Sequence, residues 1–511
     1  MTVAHITRLK SNLLPLQPKT KWSLFSHPSF LPFSSTSPNA SVLEKAKWVM
    51  SLFEHCSTMK VLNQIHAHII QIGFNQNLFV MGKIVEFCAA SERGDMDYAV
   101  SVFDSIRIPD GFLWNTMIRG FGKSSKPEKA FEFYKRMQER GEVADNFTFN
   151  FLIKISGQLG SYVLGKQIHC LTIKNGLESH VYVRNNLIHM YGMLKDMETA
   201  LQLFDEIPSP DLVAWNTILD CHVYCGNCKE ALDLFERMLQ GGIQPDKATI
   251  VVTLSACSSL GALDFGRWIH SYIKNTSLPK ILPVSNSLID MYAKSGALEE
   301  AFETFKNMSG KDLVSWNTMI LGLAAHGYTN EALGLFSNML KEKHERPDGV
   351  TFLGVLCACS HGGMVEEGRK YFDSMSKEYA IQPTMKHYGC MVDILGRAGM
   401  VEEAYQLIMS MPMECNAIVW RTLLAACRVH DNVELGEKVR KQLLKLEPDH
   451  SSDYVLLANM YASVGKWNEV MRVRESMRDR RVQKAEPGNS LIGSHPRSRM
   501  NMDSNYDLFS K

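Results

Sequence analysis

The 511-residue chain has almost no net charge, since 55 Lys and Arg residues stand against 54 Asp and Glu residues. Indiscriminate binding to nucleic acid rests mainly on an excess of basic side chains that neutralise phosphates. The charge balance therefore argues against that class of protein, although it leaves room for a local basic groove.

Long apolar runs are also lacking. The best candidate, residues 313–330, contains no Asp, Glu, Lys or Arg, but polar side chains such as Asn317 and His326 interrupt it. In the register described below it covers one helix, a turn and the start of a second helix, whereas a membrane span needs about 20 apolar residues in one helix. We predict no transmembrane segment and no membrane partner.

The twelve cysteines give little sign of metal chemistry. The only Cys-x-x-Cys motif, at Cys225 and Cys228, has no second Cys or His pair at zinc-binding spacing. Cys257, Cys359 and Cys427 recur in one register of separate repeats, which is typical of reduced thiols used as small apolar packing residues. We therefore predict no metal site and no cofactor.

What the chain does contain is a long internal period. Copies of one pentad start at Trp114, Trp215 and Trp316, 101 residues apart, and each begins Trp-Asn-Thr. Small residues within amphipathic helical stretches subdivide this period at intervals of 31, 35, 35, 31, 35, 35, 31, 36 and 36 residues. They are Ala99, Ala130, Gly165, Ala200, Ala231, Gly266, Ala301, Ala332, Gly368 and Ala404.

This pattern predicts a unit of helix, turn and helix, in which the small side chain lets a neighbouring helix approach closely. Two short helices cannot bury an apolar face alone, so stacked repeats must cover one another in a solenoid with a concave surface. The expected fold is an all-α solenoid, and no compositional linker interrupts residues 43–484.

The first residues differ in composition from this array. No acidic residue precedes Glu44, while Arg8, Lys10, Lys19 and Lys21 are followed by a stretch rich in Ser and Pro. This composition predicts an organellar transit peptide over residues 1–42 and favours a chloroplast over a mitochondrion, because Arg is scarce. The alternative is an ordinary disordered tail.

With the register fixed, the array divides into successive repeats. Their ranges are 43–77, 78–110, 111–145, 146–180, 181–211, 212–246, 247–281, 282–312, 313–348, 349–384, 385–416, 417–450 and 451–484. Long (L), short (S) and 35-residue (P) repeats alternate, with Trp-Asn-Thr near the start of each P repeat and Pro-Asp at the end of repeats such as 212–246. This arrangement resembles the PLS class of plant pentatricopeptide repeat (PPR) proteins. Residues 387–393 and 454–461 resemble the last short repeat and the second E motif of that class.

The resemblance implies a right-handed superhelical α-solenoid of helix-turn-helix PPR repeats. It also implies about eleven repeats in residues 43–416, E1 and E2 motifs in residues 417–484, and a degenerate tail in residues 485–511. Members of this class recognise single-stranded organellar RNA, one base per repeat, most often to position a cytidine for conversion to uridine. Unpaired bases suit this role because their Watson–Crick edges are accessible to side chains.

In this family the fifth and the last residue of a repeat read the base. The same pair stands at these positions in five repeats: Asn115 with Asp145, Asn185 with Asp211, Asn216 with Asp246, Asn286 with Asp312, and Asn317 with Asp348. An amide can complement the edge of uracil, and an adjacent carboxylate can orient that amide. We predict that these ten residues read pyrimidines. Each Asp also directly precedes a helix, where it would serve as an N-cap, and both roles are compatible.

The L repeats depart from this pattern. They carry Asn150 with His180, Val251 with Ile281, and Leu353 with Thr384, and an apolar residue cannot discriminate bases by hydrogen bonding. We interpret these repeats as spacers and partner-binding units. In the family, long repeats bind small proteins known as multiple organellar RNA editing factors.

The deaminase chemistry itself has no counterpart in this sequence. A zinc cytidine deaminase needs His-x-Glu followed by Pro-Cys-x-x-Cys, and none of the 17 histidines has Glu two residues later. The expected protein is therefore not an enzyme, has no catalytic residue, and relies on a deaminase-bearing PPR protein in trans, docked through residues 417–484. Two alternatives stay open: an RNA processing, stability or splicing factor without editing, and a helical-repeat scaffold for protein interactions.

Overall fold

The computed structural model describes residues 42–276, 281–342 and 345–482. The predicted transit peptide, apart from its last residue, and the predicted tail of residues 485–511 lie outside the described residues. Within the described residues the regular structure consists of 26 α-helices and no strand. The prediction of an all-α fold is confirmed.

Ten helices belong to the first of two compact parts, Met1–Ile207. They are α1 (Val42–Phe53), α2 (Met59–Gln71), α3 (Leu78–Ala90), α4 (Met96–Ser105), α5 (Gly111–Lys123), α6 (Lys129–Glu139), α7 (Asn146–Gln158), α8 (Tyr162–Lys174), α9 (Val181–Met193) and α10 (Met197–Asp205).

Sixteen helices belong to the second compact part, Pro208–Lys511. They are α11 (Leu212–Tyr224), α12 (Cys228–Gln240), α13 (Lys247–Leu260), α14 (Leu263–Asn275), α15 (Leu282–Lys294), α16 (Leu298–Lys306), α17 (Leu313–Ala325), α18 (Thr329–Glu342), α19 (Gly349–Gly362), α20 (Val365–Lys377), α21 (Met385–Arg397), α22 (Val401–Met409), α23 (Ala417–Val429), α24 (Val433–Leu446), α25 (Ser451–Ser463) and α26 (Trp467–Asp479).

Each repeat is a pair of these helices joined by a short turn. From residue 78 onward, the first helix of every repeat begins at the residue where the sequence register places the start of that repeat. Within each part, the first helices of consecutive repeats pack against one another, as α5 does on α3 and α7, and α17 does on α15 and α19. Within each part, the second helix of a repeat also packs on its own first helix and on the first helix of the next repeat. The helix-turn-helix unit inferred from the period is confirmed.

The small residues that mark the repeat lie where helices approach most closely. All ten, from Ala99 to Ala404, are buried in second helices. At Gly266 an added Cβ atom would clash with the side chain of Met291, which belongs to the first helix of the next repeat. A residue larger than glycine there would therefore force this methionine side chain to move.

Aromatic rings fill the junction that precedes a P repeat. Trp114 is buried with its ring centroid 4.6 Å from that of Phe103, which lies on α4 of the preceding S repeat. Trp316 makes the equivalent contact with Phe305 of α16, at 5.1 Å. The Trp of the pentad is thus a core residue. The Asn beside it instead contacts the Asp at the end of the same repeat.

Cys257, Cys359 and Cys427 are buried free thiols, as their shared register predicts. Burial raises the pKa of each of these thiols to about 12, so that they remain protonated packing residues. Residues 313–330 form α17, a turn and the start of α18. In the described stretches, each helix is too short or too polar to cross a membrane.

Replacing Gly322 by Ala is expected to destabilise the protein. The added Cβ would lie 2.7 Å from the Cβ of Ala293, which has no rotamer that could relieve the contact, so α15 and α17 would have to separate. Overpacking of this kind costs about 1–3 kcal/mol. That cost exceeds the roughly 1 kcal/mol that Ala gains over Gly in a helix interior.

The matched control is Gly334→Ala in α18, where the added Cβ would meet nothing within 4 Å. This change should raise the free energy of unfolding by up to about 1 kcal/mol. Urea denaturation midpoints measure both effects, and a Gly322→Ala midpoint at or above that of the wild type would contradict the close approach of the two helices.

Candidate nucleic-acid interface

The five predicted Asn residues occupy one structural position, the fifth residue of a first helix. Asn115, Asn185, Asn286 and Asn317 are 6–9% exposed, and Asn216 is half-buried. They lie on α5, α9, α15, α17 and α11, respectively. Most nearly buried amides form hydrogen bonds inside the protein, so the partners of these residues define the site.

The five predicted Asp residues are all N-caps of first helices. In each, a carboxylate oxygen accepts a hydrogen bond from the backbone N–H three residues later, at 2.8–2.9 Å. The prediction that these Asp residues cap helices is confirmed. An Asp cap stabilises a helix by about 1 kcal/mol.

In four pairs, the same carboxylate oxygen also contacts the Asn of the preceding repeat. The Nδ2–H of Asn115, Asn216, Asn286 and Asn317 donates to Oδ1 of the paired Asp at 3.0, 3.1, 3.2 and 3.0 Å. Because a carboxylate only accepts, it turns the nitrogen end of the amide towards itself. Asn185 and Asp211 belong to different compact parts: Asn185 is buried on α9, and Asp211 caps α11.

A third side chain, which the sequence analysis missed, completes three of these pairs. The hydroxyl of Thr148 lies 2.7 Å from Oδ1 of Asn115, and Thr249 and Thr351 lie 2.6 Å from Oδ1 of Asn216 and Asn317. Each Thr is buried and is the third residue of an L repeat. The Asp-x-x-Thr sequence at residues 145–148, 246–249 and 348–351, which signals a capping box, could have pointed to them.

These contacts leave each P-repeat amide with a defined capacity for a ligand. An amide has two N–H donors and an oxygen with two lone pairs. The Asp uses one N–H and the Thr one lone pair, and these two partners lie only 2.9–3.0 Å apart. One N–H donor and one oxygen lone pair of each amide remain, and they point in different directions.

Hydrogen bonds also lower the pKa of three of the carboxylates. Burial alone would raise the pKa of Asp246, but hydrogen bonds from Thr249 and Asn216 outweigh it, so the pKa lies below its ordinary value. The same balance lowers the pKa of Asp312 and Asp348. These groups therefore stay ionised and able to orient the amide at neutral pH.

Exposed apolar side chains stand one helical turn before the Asn positions. Phe112, Tyr182, Val213 and Val314 each precede an Asn by three residues and are more than half exposed. Residues three apart lie on the same face of a helix. The first helices thus present an apolar group beside each of these amides.

The L repeats lack the Asn–Asp–Thr arrangement. Asn150 accepts a hydrogen bond from Nδ2 of Asn186, on the first helix of the next repeat, at 2.9 Å. Val251 and Leu353 are partly buried apolar residues at the equivalent positions.

The last two repeats continue the helical pairing. The guanidinium of Arg421 on α23 donates to both carboxylate oxygens of the buried Asp453 on α25, at 2.8 and 3.1 Å, and to Glu447 at 2.6 Å. Trp467 and Met471, four residues apart on α26, are more than half exposed.

Stacked helical pairs with recurring polar side chains at their junctions define the class of helical-repeat proteins. Family models described as "PPR repeat family" match residues 109–155, 210–259 and 311–361, and those described as "PPR repeat" match 182–209, 284–313, 350–379 and 386–415. The chain belongs to the pentatricopeptide repeat family. A model described as "E motif" matches residues 430–493.

Relatives match over most of the chain. The pentatricopeptide repeat-containing protein At1g59720, chloroplastic/mitochondrial, of Arabidopsis thaliana is 41% identical and aligns with 90% of this chain and 74% of its own. The protein At2g02980, chloroplastic, of the same plant is 40% identical over 86% of this chain and 73% of its own. The crystal structure of the pentatricopeptide repeat protein PPR10 in complex with an 18-nt psaJ RNA element aligns with a TM-score of 0.64, covering 87% of this chain and 72% of that one. At 17% identity, this last match shows the solenoid fold.

Acidification should weaken the protein through Asp246, Asp312 and Asp348. Their pKa values are depressed in the folded state, so their stabilisation is present above the unfolded value of about 3.9 and is lost as the pH falls through the folded pKa. Changing all three to Asn keeps a capping side chain that does not titrate. The triple variant should lose less stability than the wild type between pH 7 and pH 3, as measured by urea denaturation.

A charge-matched control changes Glu299, Glu331 and Glu342 to Gln. These side chains are exposed on second helices and lie outside the Asn–Asp pairs. This variant should follow the pH dependence of the wild type. If both triple variants responded to pH equally, the Asp–amide hydrogen bonds would not be the cause.

Proposed function

We propose that this chain is a sequence-specific single-stranded RNA-binding protein of an organelle, and that it selects sites for C-to-U editing. In this proposal the P and S repeats with Asn and Asp read pyrimidines, and a deaminase-bearing partner supplies the chemistry. The observation that carries the proposal is the recurring amide, which a carboxylate holds at four junctions and which keeps a donor and an acceptor for a ligand.

The free groups of the amide suit the edge of a pyrimidine. Uracil presents an N–H donor at N3 and a carbonyl acceptor at O4, and a remaining N–H or lone pair of the amide can form a hydrogen bond with one of them. Cytosine presents the reverse order and would be tolerated through water or a small shift of the amide. A purine is larger than a pyrimidine, so the RNA backbone would have to lie farther from the amide for the edge of a purine to reach the same place.

The exposed apolar residues supply the second part of base recognition. An unpaired base gains about 1–3 kcal/mol by stacking on an aromatic side chain. Phe112 and Tyr182 offer rings, and Val213 and Val314 offer flat aliphatic contacts, one turn from the Asn of the same helix. Stacking would hold each base, and the amide would select it.

Three observations support an organelle and editing. The relatives at 41% and 40% identity are named as chloroplastic/mitochondrial and chloroplastic. The acid-free composition before Glu44 fits a transit peptide, with the chloroplast favoured. The E motif match at residues 430–493 fits a docking module for a partner deaminase, which follows the base-reading repeats along the chain.

Partner binding is proposed for two further regions. The L repeats at 146–180, 247–281 and 349–384 would bind multiple organellar RNA editing factors, since apolar side chains stand at two of their reading positions. Residues 417–484 would bind the deaminase-bearing PPR protein, and the exposed Trp467 and Met471 offer it an apolar contact.

The register yields a target pattern. If the amino terminus lies towards the 5′ end of the RNA, repeats 111–348 read pyrimidine, any base, pyrimidine, pyrimidine, any base, pyrimidine, pyrimidine. The purified protein should bind an RNA with this pattern more tightly than a scrambled RNA of equal composition in a filter-binding or fluorescence anisotropy assay at fixed salt. Equal affinity for the two RNAs would refute sequence-specific recognition.

The double variant Asn216→Thr with Asp246→Asn should move the preference towards a purine at one RNA position only. The change removes both the amide of Asn216 and the carboxylate that orients it, and one base contact typically contributes about 1–3 kcal/mol to discrimination. The same swap at Asn150 and His180 of an L repeat, where the Asn–Asp–Thr arrangement is absent, is the matched control and should leave every preference unchanged.

Editing is tested in the plant. In plant lines that lack this protein, one C-to-U conversion should disappear from organellar transcripts. The lost site should lie a few nucleotides beyond the base that faces repeat 385–416. Transcript sequencing measures this directly. Retention of every conversion, with RNA binding intact, would favour a role in RNA processing or stability without editing.

A further inference from the structure

The Asn residues of the P and S repeats differ in what holds their amide oxygen. In the P repeats, Asn115, Asn216 and Asn317 are held at both ends, by an Asp at the nitrogen and by a Thr at the oxygen. In the S repeat 282–312, Asn286 donates to Asp312, but its buried Oδ1 has no hydrogen-bond partner in the described part of the chain.

The difference does not arise from a missing hydroxyl. Ser315 stands at the position of the threonines and forms the same capping box with Asp312. Its hydroxyl donates to the carboxylate of Asp312 at 2.7 Å. The single hydroxyl proton is thereby used on the Asp, and the amide oxygen of Asn286 is left without it.

The threonine hydroxyl donates its proton to the amide oxygen instead of the carboxylate. At the junction after repeat 212–246, Oγ1 of Thr249 lies 2.6 Å from the amide oxygen of Asn216 and 2.9 Å from the carboxylate of Asp246. It also accepts a hydrogen bond from the backbone N–H of Asp246 at 3.1 Å. With one proton to give, the hydroxyl donates along the shorter contact, to the amide. Thr148 and Thr351 repeat this geometry.

We propose that Thr148, Thr249 and Thr351 are positioning residues that make the P repeats stricter uridine readers than the S repeat at Asn286. The proposal rests on the RNA-binding function proposed above. The third residue of the following repeat thereby contributes to base selection, although it belongs to a different repeat from the Asn that it orients.

The physical basis is the orientation of the amide. An amide whose oxygen and nitrogen exchange places would offer a donor where uracil needs an acceptor, and would fit cytosine or adenine instead. At Asn216 this exchange breaks two hydrogen bonds, and at Asn286 it breaks only one. A net hydrogen bond of about 1 kcal/mol corresponds to roughly a fivefold change in an equilibrium constant.

The experiment uses the full chain and short RNAs that carry U, C or A at the base facing repeat 212–246 or at the base facing repeat 282–312. The wild type should prefer U over C more strongly at the first position than at the second, by roughly fivefold. Thr249→Val keeps the branched shape and removes the hydroxyl, so the U-over-C ratio at the first position should fall by about that factor.

The matched control is Ser315→Ala. It removes the hydroxyl contacts of a capping box, as Thr249→Val does, but this serine makes no hydrogen bond to Asn286. Its U-over-C ratio at the second position should not change. Thermal melts of both variants should show similar losses of stability, so that loss of the capping box does not explain a difference in selectivity.

The outcomes separate the two proposals. If the wild type selects bases but Thr249→Val leaves the ratio at its position unchanged, the role of the threonines is overturned and the RNA-binding function stands. If Ser315→Ala loses as much selectivity as Thr249→Val, a general effect of the cap is responsible and the role is again overturned. If the wild type shows no base preference at all, both proposals fall.

Discussion

One carboxylate oxygen at each P-repeat junction performs two tasks. Oδ1 of Asp246 accepts the backbone N–H that opens α13, and it accepts the amide N–H of Asn216 from the repeat before. The start of one repeat is therefore tied by a single atom to the candidate recognition group of its neighbour. The same oxygen thus stabilises the helix cap and fixes the orientation of the amide.

The packing of the solenoid explains why this junction is reproducible. Small residues on the second helices, and glycines such as Gly322 on the first helices, set how closely consecutive repeats approach. The side-chain contacts at the junctions then fall at nearly the same distances in each P repeat, within 0.1 Å for both the amide–carboxylate and the hydroxyl–amide contacts. The regular spacing of the repeats in the sequence therefore produces the same hydrogen-bonded contacts at successive P-repeat junctions.

Much of this could be predicted from the sequence, because period and capping are local signals. The lattice from Ala99 to Ala404 placed the second helices, and Asp residues before apolar stretches placed the starts of the first helices, including those at Lys247 and Leu313. The partner of each amide oxygen could not be predicted. Thr249 and Ser315 occupy the same position and both complete capping boxes, but only distances in three dimensions show where each hydroxyl proton goes. Asn150 shows the same limit, since its contact with Asn186 depends on how two helices face each other.

The exposed apolar side chains one turn before each amide have a consequence for handling the free protein. Phe79, Phe112, Phe147 and Tyr182 place large rings in water at the same point of four consecutive first helices. Exposed apolar side chains of this kind promote self-association when nothing covers them. The unliganded chain should therefore be the form prone to precipitate, and a bound oligonucleotide would act as a solubilising cover and raise the melting temperature by mass action.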